Sequence, residues 1–307
     1  MLLRHFSAGS VFRNNFGGFG GNGARKLMSP LNSLALAAVV TPLARARLPR
    51  RRSYSNFDEE RILREYVATL LPTDHGHTAV DLGAGDGVRH SNTHALFTNG
   101  WRGLAVDGDA DRSYRLARAY RYYPNVFTGR NQITPQNVVS LLEAYQIPTD
   151  FEILSLDIDS YDYWVLDALL AKFRPRIVVT EINEKIPPPL RFIVKYDPDF
   201  TLQHHFFGYS LASLEDLCAR HNYGLMSLEY NNAFIAPREV PRVQARDAVT
   251  VYREGYLDRP DRRKKFPLNQ DMEVLLSMTP PDAVKFLNDF YARHAGKYQL
   301  SAGKLSK

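Results

Sequence analysis

Apolar positions recur at helical spacing over residues 59–71, where Ile62, Leu63, Tyr66, Val67 and Leu70 share one face. Short apolar runs at 78–82, 102–107, 125–128, 151–157 and 176–181 have the length and composition of buried strands. Helical patterns separate them: one from about Ser91, one at 134–146 and one at 163–173. Thr134 as N-cap and Pro135 at the first helical position mark the start of the second. After an irregular proline-rich stretch the pattern predicts a helix at 211–221. A hairpin of 224–230 and 233–236, turning around Asn231-Asn232, follows it. Strands alternating with helices predict an α/β fold: a doubly wound, mostly parallel sheet with helices on both faces and an antiparallel strand pair on its edge. Residues 238–307 show no further clear strand. Two helices, near 270–277 and 281–294, are expected there; the second has Val284, Phe286, Leu287 and Phe290 to bury. This tail reads as a helical extension that packs on or covers the body.

Charge changes the picture at the other end. The chain of 307 residues carries a formal +6, yet residues 1–57 hold nine of its 39 Lys and Arg and none of its 33 Asp and Glu. The remaining 250 residues therefore carry 30 basic against 33 acidic groups, which removes the electrostatic case for a nucleic-acid-binding body. An acid-free leader rich in Arg and Ser has the composition of a mitochondrial transit peptide. Its end, Arg50-Arg51-Arg52-Ser53-Tyr54-Ser55, is similar to a matrix-processing site with a cut after Tyr54. The expected organisation is a disordered basic leader at 1–57, a catalytic-type body at 58–237 and the extension at 238–307. Matrix localisation follows from the leader. No apolar run reaches the ~18 residues of a membrane span. The single cysteine, Cys218, excludes an intrachain disulfide framework and a cysteine-based zinc site. The basic turn Arg259-Pro260-Asp261-Arg262-Arg263-Lys264-Lys265 reads as a solvated surface.

The chemistry concentrates at Val80-Asp81-Leu82-Gly83-Ala84-Gly85-Asp86-Gly87, a strand that runs into three alternating glycines. Such a turn lets a ligand approach the backbone closely. A dinucleotide fingerprint would need glycine where Val88 stands, and Asp81 and Asp86 would repel a pyrophosphate. No Gly-Lys-Ser/Thr follows, so a P-loop fails too. S-adenosylmethionine suits the same charges, because it has a sulfonium and an ammonium and no phosphate. Asp107, ending the second strand, is placed to accept hydrogen bonds from ribose hydroxyls; Asp109 and Asp111 read as caps of the next helix.

These residues resemble the class I S-adenosylmethionine-dependent methyltransferases, and within them the group related to the FkbM-type O-methyltransferases. The likeness spans roughly residues 79–237. It includes Ile153-Leu154-Ser155-Leu156-Asp157-Ile158-Asp159, Val179-Thr180-Glu181-Ile182-Asn183 and Phe207-Gly208-Tyr209-Ser210. Ser160-Tyr161 and Ile182 depart from that group's usual residues. The resemblance implies a Rossmann-like methyltransferase fold, S-adenosylmethionine as cofactor and O-methylation of an unidentified acceptor. It implies cofactor contacts by Asp81, Gly83, Gly85, Gly87 and Asp107.

Strand ends are where ligands sit in such sheets. Asp157, Asp159 and Asp162 follow the fourth strand, and Glu181 and Asn183 end or follow the fifth. Asp157 and Glu181 are the catalytic candidates, as bases or orienting groups. Asp159, Asp162, Asn183 and His204 are candidates for the acceptor or its support. Oxygen ligands of this kind could hold Mg²⁺, but the favoured reading has no metal. His204-His205 offers a base or a surface pair. His75 and His77 read as loop residues without a ligand set, and His90 and His94, at i and i+4 after the glycine loop, make a poor case for a metal site. Tyr120, Tyr122 and Tyr123 with Arg118 and Arg121 read as helix-end packing. A second class of function competes: a catalytically silent methyltransferase-like assembly factor or structural subunit of a mitochondrial complex.

Overall fold

The computed structural model describes residues 53–303. The leader up to Arg52 and the cluster Arg50-Arg51-Arg52 lie outside the described residues. In chain order the elements are α1 (Glu59–Leu70), β1 (Thr78–Leu82), α2 (His94–Thr98), β2 (Arg102–Asp107) and α3 (Ala110–Tyr120). Next come β3 (Val126–Arg130), α4 (Val138–Ala144), β4 (Ile153–Leu156), α5 (Asp162–Leu170), β5 (Ile177–Glu181) and β6 (Arg191–Val194). Then follow α6 (Leu211–Arg220), β7 (Tyr223–Glu229) and β8 (Asn232–Pro237).

Seven strands form one sheet in the order β3-β2-β1-β4-β5-β8-β7. All neighbours from β3 through β5 pair in parallel, while β8 runs antiparallel to both β5 and β7. This is the Rossmann-like methyltransferase fold that the sequence predicts. The hairpin docks on the edge with its second strand inward, so the antiparallel strand lies one place in and β7 is outermost. β1 and β4 are neighbours, and the sheet grows outward from them in opposite directions. The carboxyl ends of β1 and β4 are therefore the switch point where such sheets bind ligands.

Period-two alternation divides the core into two layers. Val80, Leu82, Leu154, Leu156 and Val178 face Leu142 of α4 and Leu166 and Leu169 of α5. Ala79, Ile153, Ile177 and Val179 face the other way, toward Leu63 and Leu70 of α1. α4 starts at Val138 rather than at 134. Thr134 and Asn137 exchange backbone-to-side-chain hydrogen bonds of 2.8 and 3.2 Å, which satisfy the helix start in place of another turn.

Residues 53–57 do not behave as leader. Phe57 packs on Tyr230 and Phe266, and its N–H donates to buried Glu59 at 2.7 Å. The tail contains α7 (Ala248–Tyr252), α8 (Arg262–Lys265), a 3₁₀ segment Pro267–Ser277, α9 (Pro280–Phe290) and an unforeseen strand, β9 (Tyr298–Ser301). β9 pairs antiparallel with β6, also unforeseen, and the two build a third core with Phe206, Met272, Leu287 and Tyr291. The basic turn is solvated at Arg263, Lys264 and Lys265 and is a tether as well. Arg259 pairs with Glu229 at 3.2 Å, and Arg262 and Arg263 both engage Glu273. Lys265 stands over the rings of Phe57 and Tyr230. Among the described residues no helix is long and apolar enough to cross a membrane.

Candidate functional site

Three adjoining cavities open at the carboxyl ends of the strands. The first, of about 540 Å³, is lined by Gly83, Asp107, Asn131, Gln132, Ile133, Asp157 and Asp159, among others. The second, of about 330 Å³, touches Asp81, Gly83, Gly85, Asp86, Arg112, Asp157 and Asp159. The third, of about 520 Å³, lies between Asp159 and Glu181 on one side and Lys265–Asn269 of the extension on the other. Asp159 borders all three. Its φ of 56° is left-handed, an unusual backbone for a residue with a side chain.

The glycine loop is shaped by its neighbours. At Gly83, where φ is +89°, an added Cβ would lie 1.6 Å from the carbonyl oxygen of Asp157. At Gly85 a Cβ would meet nothing within 4 Å, so that position opens into the second cavity. Gly87 borders none of the three cavities; its missing Cβ makes room for Leu116 and Tyr120 of α3. His94, buried, bonds the Gly87 carbonyl at 2.7 Å and thereby fixes the loop. Asp107 accepts from the Gly85 N–H and the Asp109 N–H, each at 2.8 Å. It is thus clamped facing the first cavity. Asp109 caps α3 through the Arg112 N–H. Tyr120 and Tyr123 are buried, as helix-end packing requires, whereas Tyr122 is exposed beneath Arg121.

Asp81 lies on a strand buried at every position and accepts from Thr93 Oγ1 at 2.5 Å. Burial pushes its carboxyl from 3.8 up to about 6. The folded protein therefore keeps this proton to a higher pH than the unfolded chain does. Stability falls as pH rises through that window, and the loss persists above it. Asp81→Asn should remove the loss. The variant should gain up to about 3 kcal/mol over the wild type at pH 8 and only about 0.5 kcal/mol at pH 4, measured by urea unfolding. An equal difference at both pH values would show that the Asp81 carboxyl titrates normally.

Past β4 and β5 the candidates separate into two groups. Asp157, Asp159 and Glu181 converge, with one carboxylate oxygen of each within 4.8 Å of the others. Burial, then mutual repulsion, raises the proton affinity of Asp157 and Glu181 well above the ordinary carboxylate range. Asp159 is raised chiefly by burial. The turn of the β7–β8 hairpin brings Asn231 to Glu181 Oε1 at 2.7 Å. Asp162 and Asn183 are held elsewhere. Asp162 accepts from the Ile158 and Ser160 N–H groups at 2.8 and 2.9 Å and so fixes the β4–α5 loop. Asn183 donates to the carbonyls of His205 and Phe207, tying β5 to the segment over the third cavity.

His204 is exposed on the third cavity, while His205 is buried on it with Nε2 at 2.9 Å from Asp271. Asp271 escaped sequence reading because it lies 66 residues further along the chain. Asn131, Gln132 and Ile133 were also missed. Their signal was available, since they follow β3 at the same edge as Asp107.

No known family profile matches this chain, and no curated protein matches it. Solved structures do. A TehB-like SAM-dependent methyltransferase from Corynebacterium glutamicum is 13% identical, covering 68% of this chain and 100% of that one, with a TM-score of 0.37. A candidate hemolysin from Streptococcus thermophilus is 14% identical over 71% and 79% of the two chains, with a TM-score of 0.43. An O-methyltransferase from Bacillus cereus, solved with SAH, is 12% identical over 69% and 92%, with a TM-score of 0.39. The fold assignment rests on the strand order, and these likenesses add nothing about activity.

Proposed function

We propose that this protein is an S-adenosylmethionine-dependent methyltransferase acting on an oxygen acceptor. One observation carries the reading: Asp81, Asp86, Asp157 and Asp159 surround the cavity into which Gly83 and Gly85 open. These four carboxylates outnumber Arg89, Arg112 and Arg115 of the same lining by one, and that acidic excess suits a sulfonium and an ammonium better than a pyrophosphate. Asp107, clamped by two N–H groups, would hold ribose hydroxyls, and Asn131–Ile133 would border the base. When bound, the cofactor supplies an activated methyl group. Asp157 and Glu181 would take up the acceptor's proton or orient the acceptor, and carboxyls of raised proton affinity suit that task near neutral pH. The extension would keep water from the third cavity. Calorimetry of the full-length protein should give binding of S-adenosylmethionine and S-adenosylhomocysteine but not of NAD. Asp107→Ala should weaken S-adenosylhomocysteine roughly ten- to a hundred-fold. Binding of NAD alone would sink the proposal.

We propose further that the protein works in the mitochondrial matrix, on the strength of its acid-free Arg-rich leader. Residues 1–54 fused to a fluorescent reporter should carry it to mitochondria, and reversing the charges of Arg50, Arg51 and Arg52 should impair processing. A cytosolic reporter would overturn the localisation and leave the chemistry untouched.

A further inference from the structure

The third cavity has a hydrogen-bonding inventory that selects its occupant. Four of its donors are already engaged. Lys185 pairs with Glu184 at 3.2 Å and stands over the Phe207 ring, and Asn269 donates to Glu184 at 2.6 Å. Asn231 donates to Glu181, and Lys265 pairs with Asp261 at 3.5 Å across the Phe57 and Tyr230 rings. Apart from the exposed Gln203 and His204, what remains on the wall accepts. Among the described residues neither Asp159 nor Glu181 forms an ion pair, although one oxygen of each lies within 4.8 Å of the other and of one from Asp157. Asp157 lines the two neighbouring cavities and not this one, and its buried Oδ1 has no hydrogen-bond partner. His205, 3% exposed, lines the same cavity, and its buried Nδ1 is also without a partner. With Nε2 donating to the Asp271 carboxylate, the neutral ring leaves Nδ1 as a bare acceptor. Phe207, Phe266 and Leu268 supply the apolar part of the lining.

We infer that the third cavity binds an organic cation, an ammonium or guanidinium on an apolar stem, with its charged head at Asp159 and Glu181. Such a head carries donors and no acceptors, which complements a wall of free acceptors. Its stem matches the aromatic and aliphatic side of the cavity. This rests on the methyltransferase reading only in making the cation part of the methyl acceptor. The site itself is defined by groups that the glycine loop does not contain. Asp159, shared with both cofactor cavities, sets the cation next to the point of methyl delivery and not at it. Glu181 thus orients the acceptor through its charged head, and Asp157 is left to take up the hydroxyl proton.

The full-length protein saturated with S-adenosylhomocysteine can be titrated calorimetrically with 6-amino-1-hexanol, 1-hexanol and 6-hydroxyhexanoate. These probes share a stem and a hydroxyl and differ in charge at the far end, except that 1-hexanol lacks the second group. The ammonium probe should bind at least about tenfold more tightly than the neutral one, with the carboxylate weakest. Glu181→Gln should abolish that preference while S-adenosylhomocysteine binding stays unchanged, because Glu181 borders neither cofactor cavity. Leu268→Trp, on the exposed rim, should weaken all three probes together. Equal binding of the three, or preference for the carboxylate, would overturn the inference. So would tight Mn²⁺ binding lost in Glu181→Gln without any discrimination among the organic probes, which would assign the carboxylates to a metal. If S-adenosylhomocysteine itself fails to bind, the methyltransferase reading falls, and the same three titrations without it still decide this one.

Discussion

Two glycines two residues apart should fail in opposite ways. Gly83→Ala should destabilise the protein, whereas Gly85→Leu should leave it folded and unable to hold its cofactor. At Gly83 the new Cβ would lie 1.6 Å from a backbone oxygen that belongs to the β4 end, and backbone cannot rotate aside as a side chain can. Overpacking and a left-handed φ each cost about 1–3 kcal/mol, so a loss of about 3–5 kcal/mol is expected. At Gly85 the left-handed φ of 59° costs only about 1–2 kcal/mol, and the Cβ meets no neighbour. The leucine side chain would instead occupy the second cavity, and S-adenosylhomocysteine affinity should fall by about a hundredfold or more. Thermal melting and calorimetry on the two variants separate the effects. A Gly83→Ala protein that melts with the wild type would mean that the loop is not pinned against β4. Normal ligand binding by Gly85→Leu would move the cofactor out of that cavity.

The part of the site legible in the sequence is the part built from consecutive residues. A buried strand, a glycine turn and an acid at the next strand end are each local signals, and Asp81, Gly83, Gly85 and Asp107 line the cavities accordingly. What sequence reasoning could not sort was which of several acids is spent on structure. Asp159 and Asp162 are three residues apart, yet one faces three cavities and the other has both oxygens taken by backbone N–H groups. Neighbouring His204 and His205 divide in the same way, because only the fold brings Asp271 to the second. The strands β6 and β9 escaped for a related reason. Each has four residues, and each finds its partner about a hundred positions away, so neither strand carries a strong pattern of its own. The segment 53–57 reads as leader by composition, but Phe57 supplies a ring that the extension packs against. Pairing across long separations decides such cases, and local pattern is silent about it.

Asp157→Asn and Glu181→Gln should each lower methyl transfer by about 10²–10⁴-fold with the fold intact. Glu181→Gln should leave cofactor binding unchanged, whereas Asp157→Asn, on both cofactor cavities, is to be assayed at saturating S-adenosylmethionine. Both changes nearly conserve volume. They also remove one of three carboxylates that repel one another in a desolvated place, so stability should hold or rise. A loss of turnover therefore cannot be charged to unfolding. Activity in the wild type should depend on pH through these same groups. Their raised proton affinity keeps them protonated further up the pH scale than ordinary carboxylates. Proton uptake from the acceptor should accordingly grow as pH rises, and Asp157→Asn should flatten that limb of the profile. Cells lacking the protein and rescued with each variant provide the readout, with methylated products measured beside the abundance of mitochondrial complexes. Missing product at normal protein level marks the carboxylates as participants in the chemistry. Full rescue by both variants and by Gly85→Leu would mean instead that the fold serves a complex as a silent subunit. Failure of Gly85→Leu alone would keep the cofactor and remove Asp157 and Glu181 from the reaction.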